Sequence, residues 1–552
     1  MADLPAPMKW WGWGSTDHRL ELPPKALGML RGILGAEERR TEAVALGAVR
    51  LSEPRLAGKL VERLGEITGS EWVRNDRLTR VQHAAGRSYP DLIRMRAGQA
   101  EQAPDAVVYP ETDQQVRALL ELCGTERVAV VPFGGGTSVV GGVEPVRGGF
   151  DSLVALDLAR MAGVTAVDER SLTAELGPGL RGPQVEAGLG RWDLTLGHFP
   201  QSFEYATLGG WVATRSAGQA STGYGKIEEM VVGVRCVTPS GEISSRPLPA
   251  SAAGPQLREL LVGSEGVLGV ITAATVKVRP RPSSRRYEAW MFKGFSEGAD
   301  ALRKLEQNEA APDVARLSDE AETMVSMEFA GGRSAAQRAG RRYVNARGFG
   351  GGSVAIIGFE GDRHEVLRRR TQVARVLRSA GALSLGTRPG RAWERGRYEA
   401  PYLRDALLDN GIMVETLETA AQWSGLMDLY AAVSGALRKS LESRGTPPLV
   451  MCHISHLYPN GASLYFTFFA AQEDGSELEQ WRAAKSAACD AIVDVGGTIT
   501  HHHAIGTDHA PWMPREVGEL GVEVLRSAKQ RLDPAGIMNP GKLLPENGKA
   551  FV

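Results

Sequence analysis

The chain has 552 residues, and its 64 basic and 65 acidic residues leave a formal net charge of −1. This length predicts about three to four domain-sized units, and the charge balance excludes a net field that would draw nucleic acid to the whole chain. No apolar run reaches the ~18 residues of a membrane span, and the N-terminus lacks the layout of a signal peptide. Four cysteines without motif spacing predict buried, reduced thiols in a cytoplasmic protein.

The first half of the chain predicts a helical N-terminal segment, residues 1–101, followed by a mixed α/β domain, residues 102–281. This domain opens with a strand at 106–110, a helix that begins at its N-cap Thr112, and a strand that ends at Pro132. Further strands are predicted at 153–156, 164–167, 172–175, 231–237 and 242–245. The prolines near residue 281 mark the boundary of the domain.

The second half predicts an antiparallel sheet covered by helices. Strands are predicted at 287–291, 314–317, 353–359, 449–454 and 463–469, and helices at 297–307, 363–380 and 404–409. We expect residues 282–508 to form a cap domain, and residues 509–552 to form a helical segment that completes the first domain. The fold class is therefore predicted as α+β.

A glycine-rich loop, Pro132-Phe-Gly-Gly-Gly-Thr-Ser138, follows the strand at 128–132. Three glycines let the backbone approach a ligand with no Cβ in the way, and successive N–H groups in such a turn can bind an anion. No lysine follows as in a mononucleotide P-loop, and no helix follows as in a Rossmann turn. A plain turn between strands is the open alternative.

Two more loops of this kind follow, at 197–218 and at Glu265-Gly-Val-Leu-Gly-Val-Ile271. Small residues and hydroxyls dominate the first of them, as close passage along a flat ligand and its phosphates would require. The three loops together predict one long ligand that contains a diphosphate and a heterocycle.

These loops, with Asp533-Pro and Asn539-Pro-Gly-Lys542, resemble the PCMH-type, two-subdomain FAD-binding domain of the vanillyl-alcohol-oxidase superfamily of FAD-linked oxidases. The resemblance implies FAD that is bound non-covalently, since no histidine stands beside the first glycines. The cofactor contacts that it implies are Pro132, Phe133, Gly134, Gly135, Gly136, Thr137, Ser138, Gln201, Ser202, Phe203, Glu204, Tyr205, Ala206, Thr207, Thr214, Arg215, Ser216, Ala217, Glu265, Gly266, Val267, Leu268, Gly269, Val270 and Ile271.

Further motifs narrow the resemblance to the alkyldihydroxyacetone-phosphate synthase family, in a bacterial form. They are Met8-Lys-Trp-Trp-Gly-Trp-Gly14, Tyr224-Gly-Lys-Ile-Glu228, Tyr402-Leu-Arg-Asp405, Gly461-Ala-Ser-Leu-Tyr-Phe466 and His501-His-His503. The family exchanges the acyl chain of acyl-dihydroxyacetone phosphate for a fatty alcohol, in a redox-neutral reaction that uses flavin N5 as an electrophile. This implies lipid substrates, no nucleic acid, a homodimer, and peripheral contact with the inner membrane face.

The resemblance assigns roles to five residues. Tyr465 is implied as the catalytic acid/base, Arg404 as the ligand of the substrate phosphate, and His501, His502 and His503 as active-site histidines. An arginine suits a phosphate monoester because its planar fork donates two hydrogen bonds at once. A tyrosine has an ordinary pKa of about 10, so it needs cationic neighbours such as His502 or His503 to act near neutral pH.

Each role has an alternative. Without the resemblance, Tyr465 is a core aromatic, Arg404 is a charge on a helix surface, and the three histidines form a solvated turn. A metal site is not predicted, because adjacent side chains on an extended segment face opposite ways. His453 and His456 are interpreted as structural or pocket-lining residues.

Two other functions stay open at this point. A D-lactate-type 2-hydroxy-acid dehydrogenase shares the fold, but Tyr458-Pro-Asn-Gly-Ala departs from the His-x-Gly-Asp-Gly-Asn pattern of those enzymes. A flavin-binding protein without catalysis is the third reading. Departures from the animal synthases at Pro459, Cys452 and His456 also leave open another long-chain or phosphorylated substrate.

Overall fold

A computed structural model of the protein describes residues 4–18, 20–329 and 335–545. The N-terminal part contains short elements, which are α1 (Pro24–Leu34), α2 (Gly58–Thr68), β1 (Val73–Arg74), α3 (Arg77–Gln82) and α4 (Tyr89–Arg96). Val81 of α3 and Met95 of α4 belong to a small buried cluster within this part of the chain, and other elements pack on the second domain. Leu30 and Leu34 of α1 are buried against Phe469 of the second domain, and Leu92 of α4 belongs to the core of that domain.

The next segment builds a small sheet in the strand–helix–strand order that the sequence predicts. Its elements are β2 (Ala106–Val108), α5 (Asp113–Thr125), β3 (Val128–Phe133) and β4 (Ser152–Asp157). The strand order is β1-β2-β4-β3, and the last three strands are parallel. Thr112 is the N-cap of α5, and its hydroxyl accepts the N–H of Gln115 at 3.2 Å, which confirms this part of the prediction.

A second, antiparallel sheet follows in the order β5-β6-β10-β8-β9. The elements of this segment are β5 (Val164–Asp168), β6 (Thr173–Leu176), α6 (Gly182–Leu189), β7 (Leu194–Thr195), α7 (Leu208–Thr214), α8 (Ser221–Tyr224), α9 (Ile227–Met230), β8 (Val231–Thr238), β9 (Gly241–Ser244), α10 (Arg258–Leu261), β10 (Val270–Lys277) and β11 (Arg279–Pro280). The predicted hairpin is β8–β9. The first glycine loop leaves the small sheet, and the other two belong to this segment.

The rest of the chain up to residue 494 forms a seven-stranded antiparallel sheet with helices, in the order β15-β12-β14-β13-β17-β18-β16. Its elements are β12 (Ser284–Phe292), α11 (Phe295–Gln307), β13 (Val314–Ser318), α12 (Glu320–Phe329), α13 (Ala335–Ala346), β14 (Ser353–Gly361), α14 (Arg363–Ser379), β15 (Leu383–Gly386), α15 (Thr387–Gly396), α16 (Ala400–Leu408), β16 (Ile412–Gln422), α17 (Leu426–Glu442), β17 (Leu449–Tyr458), β18 (Gly461–Ala471) and α18 (Glu477–Asp494). The sequence did not predict β16, α17 or α18.

The two faces of this sheet have different partners. Leu464 and Phe466 of β18 pack with Leu302, Leu437 and other residues of the covering helices. Because side chains alternate along a strand, Tyr465 points the other way. On that opposite face, Tyr287 of β12 is buried in the same cluster as residues of α7 and α9, so this face lies over the domain that carries the glycine loops.

The C-terminal segment returns to the first sheet. After α19 (Met513–Val517) and α20 (Glu519–Leu532), the Val130 N–H donates to the Ile537 carbonyl and the Asn539 N–H donates to the Val130 carbonyl, each at 2.8 Å. Residues 537–539 therefore run beside β3. Across the described parts of the chain, every helix is too short or too polar to cross a membrane.

Candidate active site

The first glycine loop lies at the end of β3 and meets the second loop directly. A Cβ on Gly134 would come 2.3 Å from Thr207 Oγ1, and a Cβ on Gly135 would come 2.0 Å from the Tyr205 carbonyl oxygen. Gly136 has a φ of +64°, in the left-handed region that side chains disfavour. The glycines are therefore required by the close approach of two backbones as well as by any ligand.

The third loop and the C-terminal motif close around the same turn. A Cβ on Gly266 would come 2.9 Å from Pro132 Cγ, and the Glu265 N–H donates to the Ala213 carbonyl at 2.9 Å. Asn539 Nδ2 donates to the Glu265 carbonyl at 2.6 Å. The structure thus brings together the three glycine-rich loops and the C-terminal motif that carried the resemblance.

Several side chains in these segments already have protein partners. The Glu265 carboxylate accepts the N–H groups of Ile505 and Gly506 at 2.8 and 2.7 Å, and the Glu204 carboxylate accepts the Tyr402 hydroxyl at 3.0 Å. Three apolar side chains of the third loop lie in hydrophobic cores, namely Val267, Val270 and Ile271. At these positions only the backbone is available to a ligand.

The second loop also carries side chains with local partners. Ser216 Oγ hydrogen-bonds with His198 Nε2 at 3.2 Å, and Thr214 Oγ1 donates to the Gly210 carbonyl at 2.9 Å. The Phe203 ring stacks on Tyr398. That these residues contact the cofactor stays a prediction, and the sequence did not show which of their side chains already have protein partners.

A cavity of about 340 Å³ opens on the first glycine turn. The residues around it include Gly134, Gly135, Gly136, Thr207, Arg181, Arg87, His83 and Asp157. An extended anionic ligand fits this cavity, because the glycines leave backbone N–H groups unobstructed and arginine guanidinium groups lie beside them. These residues therefore fit FAD.

Replacing Gly135 with alanine is expected to weaken FAD binding about 10- to 100-fold, because the added methyl group meets the Tyr205 carbonyl at 2.0 Å and overpacking of this kind costs about 1–3 kcal/mol. The measurement is the ratio of flavin to protein absorbance after purification. Gly124→Ala in α5 is the matched control, because its Cβ would meet no atom within 4 Å. Full flavin content in the Gly135→Ala protein would contradict the prediction.

Glu418 of β16 organises the three consecutive histidines. Its carboxylate accepts the backbone N–H groups of His501 at 2.7 Å, His502 at 2.8 Å and His503 at 2.6 Å, and also the Thr500 hydroxyl at 2.8 Å. Burial alone would raise the pKa of Glu418, but its interactions with the side chains of His502 and His503 hold it well below its ordinary value. The carboxylate is therefore an anion at neutral pH.

A metal site was not predicted because residues 501–503 were expected to be extended, and that expectation is wrong. The backbone bends at residues 501–503 instead of extending, because three successive N–H groups turn toward one carboxylate. The rings of His501 and His502 lie 5.1 Å apart, those of His502 and His503 lie 4.8 Å apart, and ligand atoms of His456, His501 and His502 lie within 4.8 Å of one another. Spacing therefore does not exclude a metal, and its absence stays a prediction.

The histidines are buried, not solvated. The exposed fraction of their side chains is 6% for His501 and 14% for each of the other two. His501 Nε2 hydrogen-bonds with the Tyr458 hydroxyl at 2.6 Å, and Lys226 Nζ donates to the His501 carbonyl at 2.9 Å. Burial lowers the pKa of His501 well below its ordinary value. The His456 ring stacks on His501.

Tyr465 of β18 pairs with Glu418 of β16 in the sheet register. Its ring stacks on His453 at 4.8 Å and meets the His503 ring edge-on at 5.4 Å. Burial raises the pKa of Tyr465, while a hydrogen bond with Thr416 and the charge of Arg404 oppose that rise. Burial also lowers the pKa of His503 to about 3, so His503 is not the cationic neighbour that the sequence suggested.

Arg404 of α16 lies inside the site and not on a helix surface, because its side chain is only 12% exposed. Its Nη1 donates to the Arg87 carbonyl at 2.5 Å, and its Nη2 lies 4.0 Å from Glu415. The positive charge of Arg404 acts to lower the pKa of both Tyr465 and His503. The structure therefore brings together the five residues to which the resemblance gave roles.

Two of the recognised motifs touch each other behind Arg404. Asp405 accepts the Trp13 N–H at 2.9 Å and pairs with Lys9 Nζ at 2.7 Å. A Cβ on Gly12 would meet the Asp405 carboxylate at 2.3 Å, and a Cβ on Gly14 would meet the Tyr402 ring at 2.2 Å. The N-terminal motif thus holds the helix turn that presents Arg404.

Sequence reasoning missed Glu418, which organises the site. The signal was present in Ile412-Met-Val-Glu-Thr-Leu-Glu-Thr-Ala420, an apolar stretch with two carboxylates, of which Glu415 and Glu418 are each 1% exposed. Acidic residues are almost never fully buried unless paired. A strand with buried acids therefore predicts nearby donors, although not which ones.

Comparisons with known proteins identify the family of this chain. Residues 104–245 match an FAD binding domain, and residues 281–543 match the C-terminal domain of FAD linked oxidases. The chain is 35% identical to alkyldihydroxyacetonephosphate synthase of Dictyostelium discoideum, over 99% of this chain and 95% of that protein. It is also 35% identical to the Trypanosoma brucei brucei enzyme of that name, over 90% and 82%.

The chain belongs to the alkyldihydroxyacetonephosphate synthase family. A solved alkyldihydroxyacetonephosphate synthase structure, 33% identical, superposes with a TM-score of 0.84 and covers 97% of this chain and 99% of that chain. The resemblance drawn from the motifs is confirmed, as is the α+β fold with an FAD-binding domain and an antiparallel-sheet domain. FAD is the cofactor of this family member, which is an FAD-dependent enzyme.

Proposed function

We propose that the protein is an alkyldihydroxyacetone-phosphate synthase, which exchanges the acyl chain of acyl-dihydroxyacetone phosphate for a fatty alcohol. The observation that carries the proposal is the convergence of Arg404, Tyr465 and the histidines 501–503 on the sheet face that lies over the glycine loops. A flavin-binding protein without catalysis would not require a buried arginine beside a buried tyrosine.

Arg404 binds the substrate phosphate in this proposal. Its guanidinium is a strong bidentate donor for a phosphate monoester. Glu415 is the carboxylate that the described part of the chain places beside it, at 4.0 Å, which is too distant for a close hydrogen bond. Its bond to the Arg87 carbonyl fixes the direction of the side chain and leaves further N–H groups for the ligand.

Tyr465 moves the proton beside the substrate ketone. A buried phenol with a raised pKa is neutral at rest, and the Arg404 charge lowers the cost of forming the phenolate when a proton leaves. His503 beside it is neutral, because burial lowers its pKa to about 3, so the positive charge that favours the phenolate comes from Arg404. FAD, when bound, supplies an electrophilic ring system to the substrate. The acyl chain leaves as a fatty acid and the alcohol takes its place, so no net oxidation occurs.

In this proposal, the predicted contact residues of the three glycine-rich loops hold FAD non-covalently, mostly through backbone groups. We also propose the division into an N-terminal segment (1–101), an FAD-binding domain (102–281), a cap (282–508) and a C-terminal segment (509–552). The return of residues 537–539 beside β3 supports the assignment of the last segment to the FAD-binding domain.

Arg404→Met is expected to raise the KM for acyl-dihydroxyacetone phosphate about tenfold or more, because a hydrogen bond to a charged group contributes about 1.5–3 kcal/mol. Steady-state kinetics with the acyl phosphate measures this change. Arg160→Met is the matched control, because Arg160 has the same 12% exposure and contacts Glu111 and Trp72 elsewhere. An unchanged KM would contradict the role of Arg404.

An anaerobic absorbance spectrum of the purified protein, before and after palmitoyl-dihydroxyacetone phosphate, tests the function. Flavin bleaching with release of free palmitate, followed by ether formation when hexadecanol is added, is the expected result. Bleaching only with D-2-hydroxy acids would instead identify a dehydrogenase. A flavin spectrum that no substrate changes would support the non-catalytic alternative.

The finer statements on assembly and location are also proposals. The substrate's acyl chain must come from a bilayer, so we propose a cytoplasmic homodimer with peripheral contact at the inner membrane face. Cosedimentation with anionic liposomes tests the contact, and light scattering during size-exclusion chromatography tests the dimer. Protein that stays in the supernatant, or that elutes at the 59.3 kDa of one chain, would refute the corresponding statement.

A further inference from the structure

Arg87 is a buried arginine between the glycine turn and Arg404. It is 4% exposed and lines the cavity of about 340 Å³ together with Gly134, Gly135 and Gly136. Its N–H donates to the carbonyl of Ser138 in the first glycine loop at 2.6 Å. Its own carbonyl accepts the bond from Arg404. Arg87 thus contacts both the cofactor loop and the residue proposed to hold the substrate phosphate.

The guanidinium of Arg87 has no counter-ion among the described residues. Of its five N–H groups, one on Nη1 donates to the Gly86 carbonyl at 2.6 Å and one on Nη2 donates to the Lys9 carbonyl at 3.1 Å. Nε is buried without a hydrogen-bond partner. Among the residues that the structure describes, no carboxylate oxygen lies within 4 Å of these nitrogens.

The two nearest carboxylates that influence Arg87 are engaged elsewhere. Asp405 pairs with Lys9 and accepts the Trp13 N–H. Asp91 accepts the N–H groups of Gly86 and Ser88 and pairs with Arg94. Burial lowers the pKa of Arg87 to about 10, so the group is still charged at neutral pH.

A buried charge is costly unless it is paired and hydrogen-bonded. An arginine fork with free N–H groups matches the oxygens of a phosphoryl group, and the neighbouring glycine turn offers further backbone N–H groups to an anion. We propose that Arg87 is a phosphoryl ligand, which donates through Nε and Nη to a phosphate of a bound molecule. The source is the FAD diphosphate or the phosphate of the acyl substrate, and the cavity beside the glycine turn favours FAD.

Arg87→Met tests the proposal in the holoenzyme. Its first readout is the release of FAD on dilution, followed by flavin fluorescence, and its second is the KM for palmitoyl-dihydroxyacetone phosphate. We expect the FAD affinity of Arg87→Met to fall about 10- to 100-fold. Arg87→Lys keeps the positive charge and is more similar to the natural chain, so it should recover part of this affinity. An unchanged FAD affinity with a raised KM would assign the phosphate to the substrate.

Arg80→Met is the matched control. Arg80 is 3% exposed and also donates to two carbonyls, those of Pro104 and Ser52, each at 2.7 Å, but it does not line the cavity. Its FAD affinity should equal that of the natural protein. Equal losses in Arg80→Met and Arg87→Met, or natural values of both readouts in Arg87→Met, would overturn the proposal.

The substrate readout rests on the proposed function, whereas the FAD readout does not. A natural holoenzyme that retains FAD but does not turn over palmitoyl-dihydroxyacetone phosphate would refute the proposed function. In that case FAD release alone decides the role of Arg87, and unchanged release would overturn it.

Discussion

Replacing Tyr465 with phenylalanine is expected to abolish turnover while FAD stays bound. The change removes only the hydroxyl, so the ring keeps its stacking on His453 and its edge contact with His503. General acid–base catalysis contributes about 10²- to 10⁴-fold to a rate, and we expect kcat to fall by this factor. Loss of the hydrogen bond with Thr416 should cost only about 0.5–1.5 kcal/mol of folding free energy.

The measurements are kcat, the flavin content and the melting temperature of the purified variant. Tyr430→Phe is the matched control, because Tyr430 stacks on Phe466 and its hydroxyl donates to Asp319 at 3.1 Å on the side of the sheet covered by helices. It should keep its activity. A Tyr465→Phe protein that turns over normally would refute the assigned role, and loss of FAD would point to a structural role.

Glu418→Gln is expected to have the second large effect, on both stability and activity. Glutamine keeps the shape, but its amide has one acceptor oxygen where three backbone N–H groups and a hydroxyl now converge. A buried donor that is left without its partner costs about 1–3 kcal/mol of unfolding free energy. Since the histidines then lose their common anchor, we expect kcat to fall by at least about 10²-fold.

Chemical denaturation gives the change in unfolding free energy, and kinetics gives kcat. Glu288→Gln is the matched control, because Glu288 is also 1% exposed in the same sheet, where it pairs with Arg370 at 2.8 Å and accepts the Trp290 Nε1–H. It should destabilise the protein without a comparable loss of kcat in the remaining folded fraction. A Glu418→Gln protein with natural activity would disprove the anchoring role.

The pH dependence of the unfolding free energy should also depend on the buried side chains of Glu418 and His503. The pKa of Glu418 is lower in the folded than in the unfolded chain, so its contribution is present above the unfolded value and is lost as the pH falls through the folded one. His503, with a folded pKa of about 3, must likewise gain a proton on unfolding, so its contribution is lost as the pH falls from its ordinary value near 6.5 toward 3.

We therefore expect the unfolding free energy of the natural protein to decrease steadily below about pH 6.5. Denaturant titrations at successive pH values measure this slope. His503→Phe should make the slope shallower between about pH 6.5 and 4. An equal slope in the His503→Phe protein would contradict the buried neutral state of this histidine.

The local elements and the family were accessible from the sequence alone. Glycine runs, prolines and apolar alternation are short-range signals, so they sufficed for the loop after β3, the cap at Thr112 and the β8–β9 hairpin. They also sufficed for the resemblance, because motifs such as His501-His-His503 are contiguous. The assignment of FAD followed from three loops whose order along the chain is itself informative.

What the sequence could not provide is the pairing of distant residues. Glu418 stands 83 positions before His501, and Arg87 stands 317 positions before Arg404. Nothing local indicates that three adjacent histidines bend toward one carboxylate, or that a buried arginine has no carboxylate partner among the described residues. Both features depend on how the seven-stranded sheet packs over the glycine loops. The sequence by itself determined which residues are chemically able to act, and the tertiary structure decided which of them meet, since hydrogen bonding and burial act on distance in space and not along the chain.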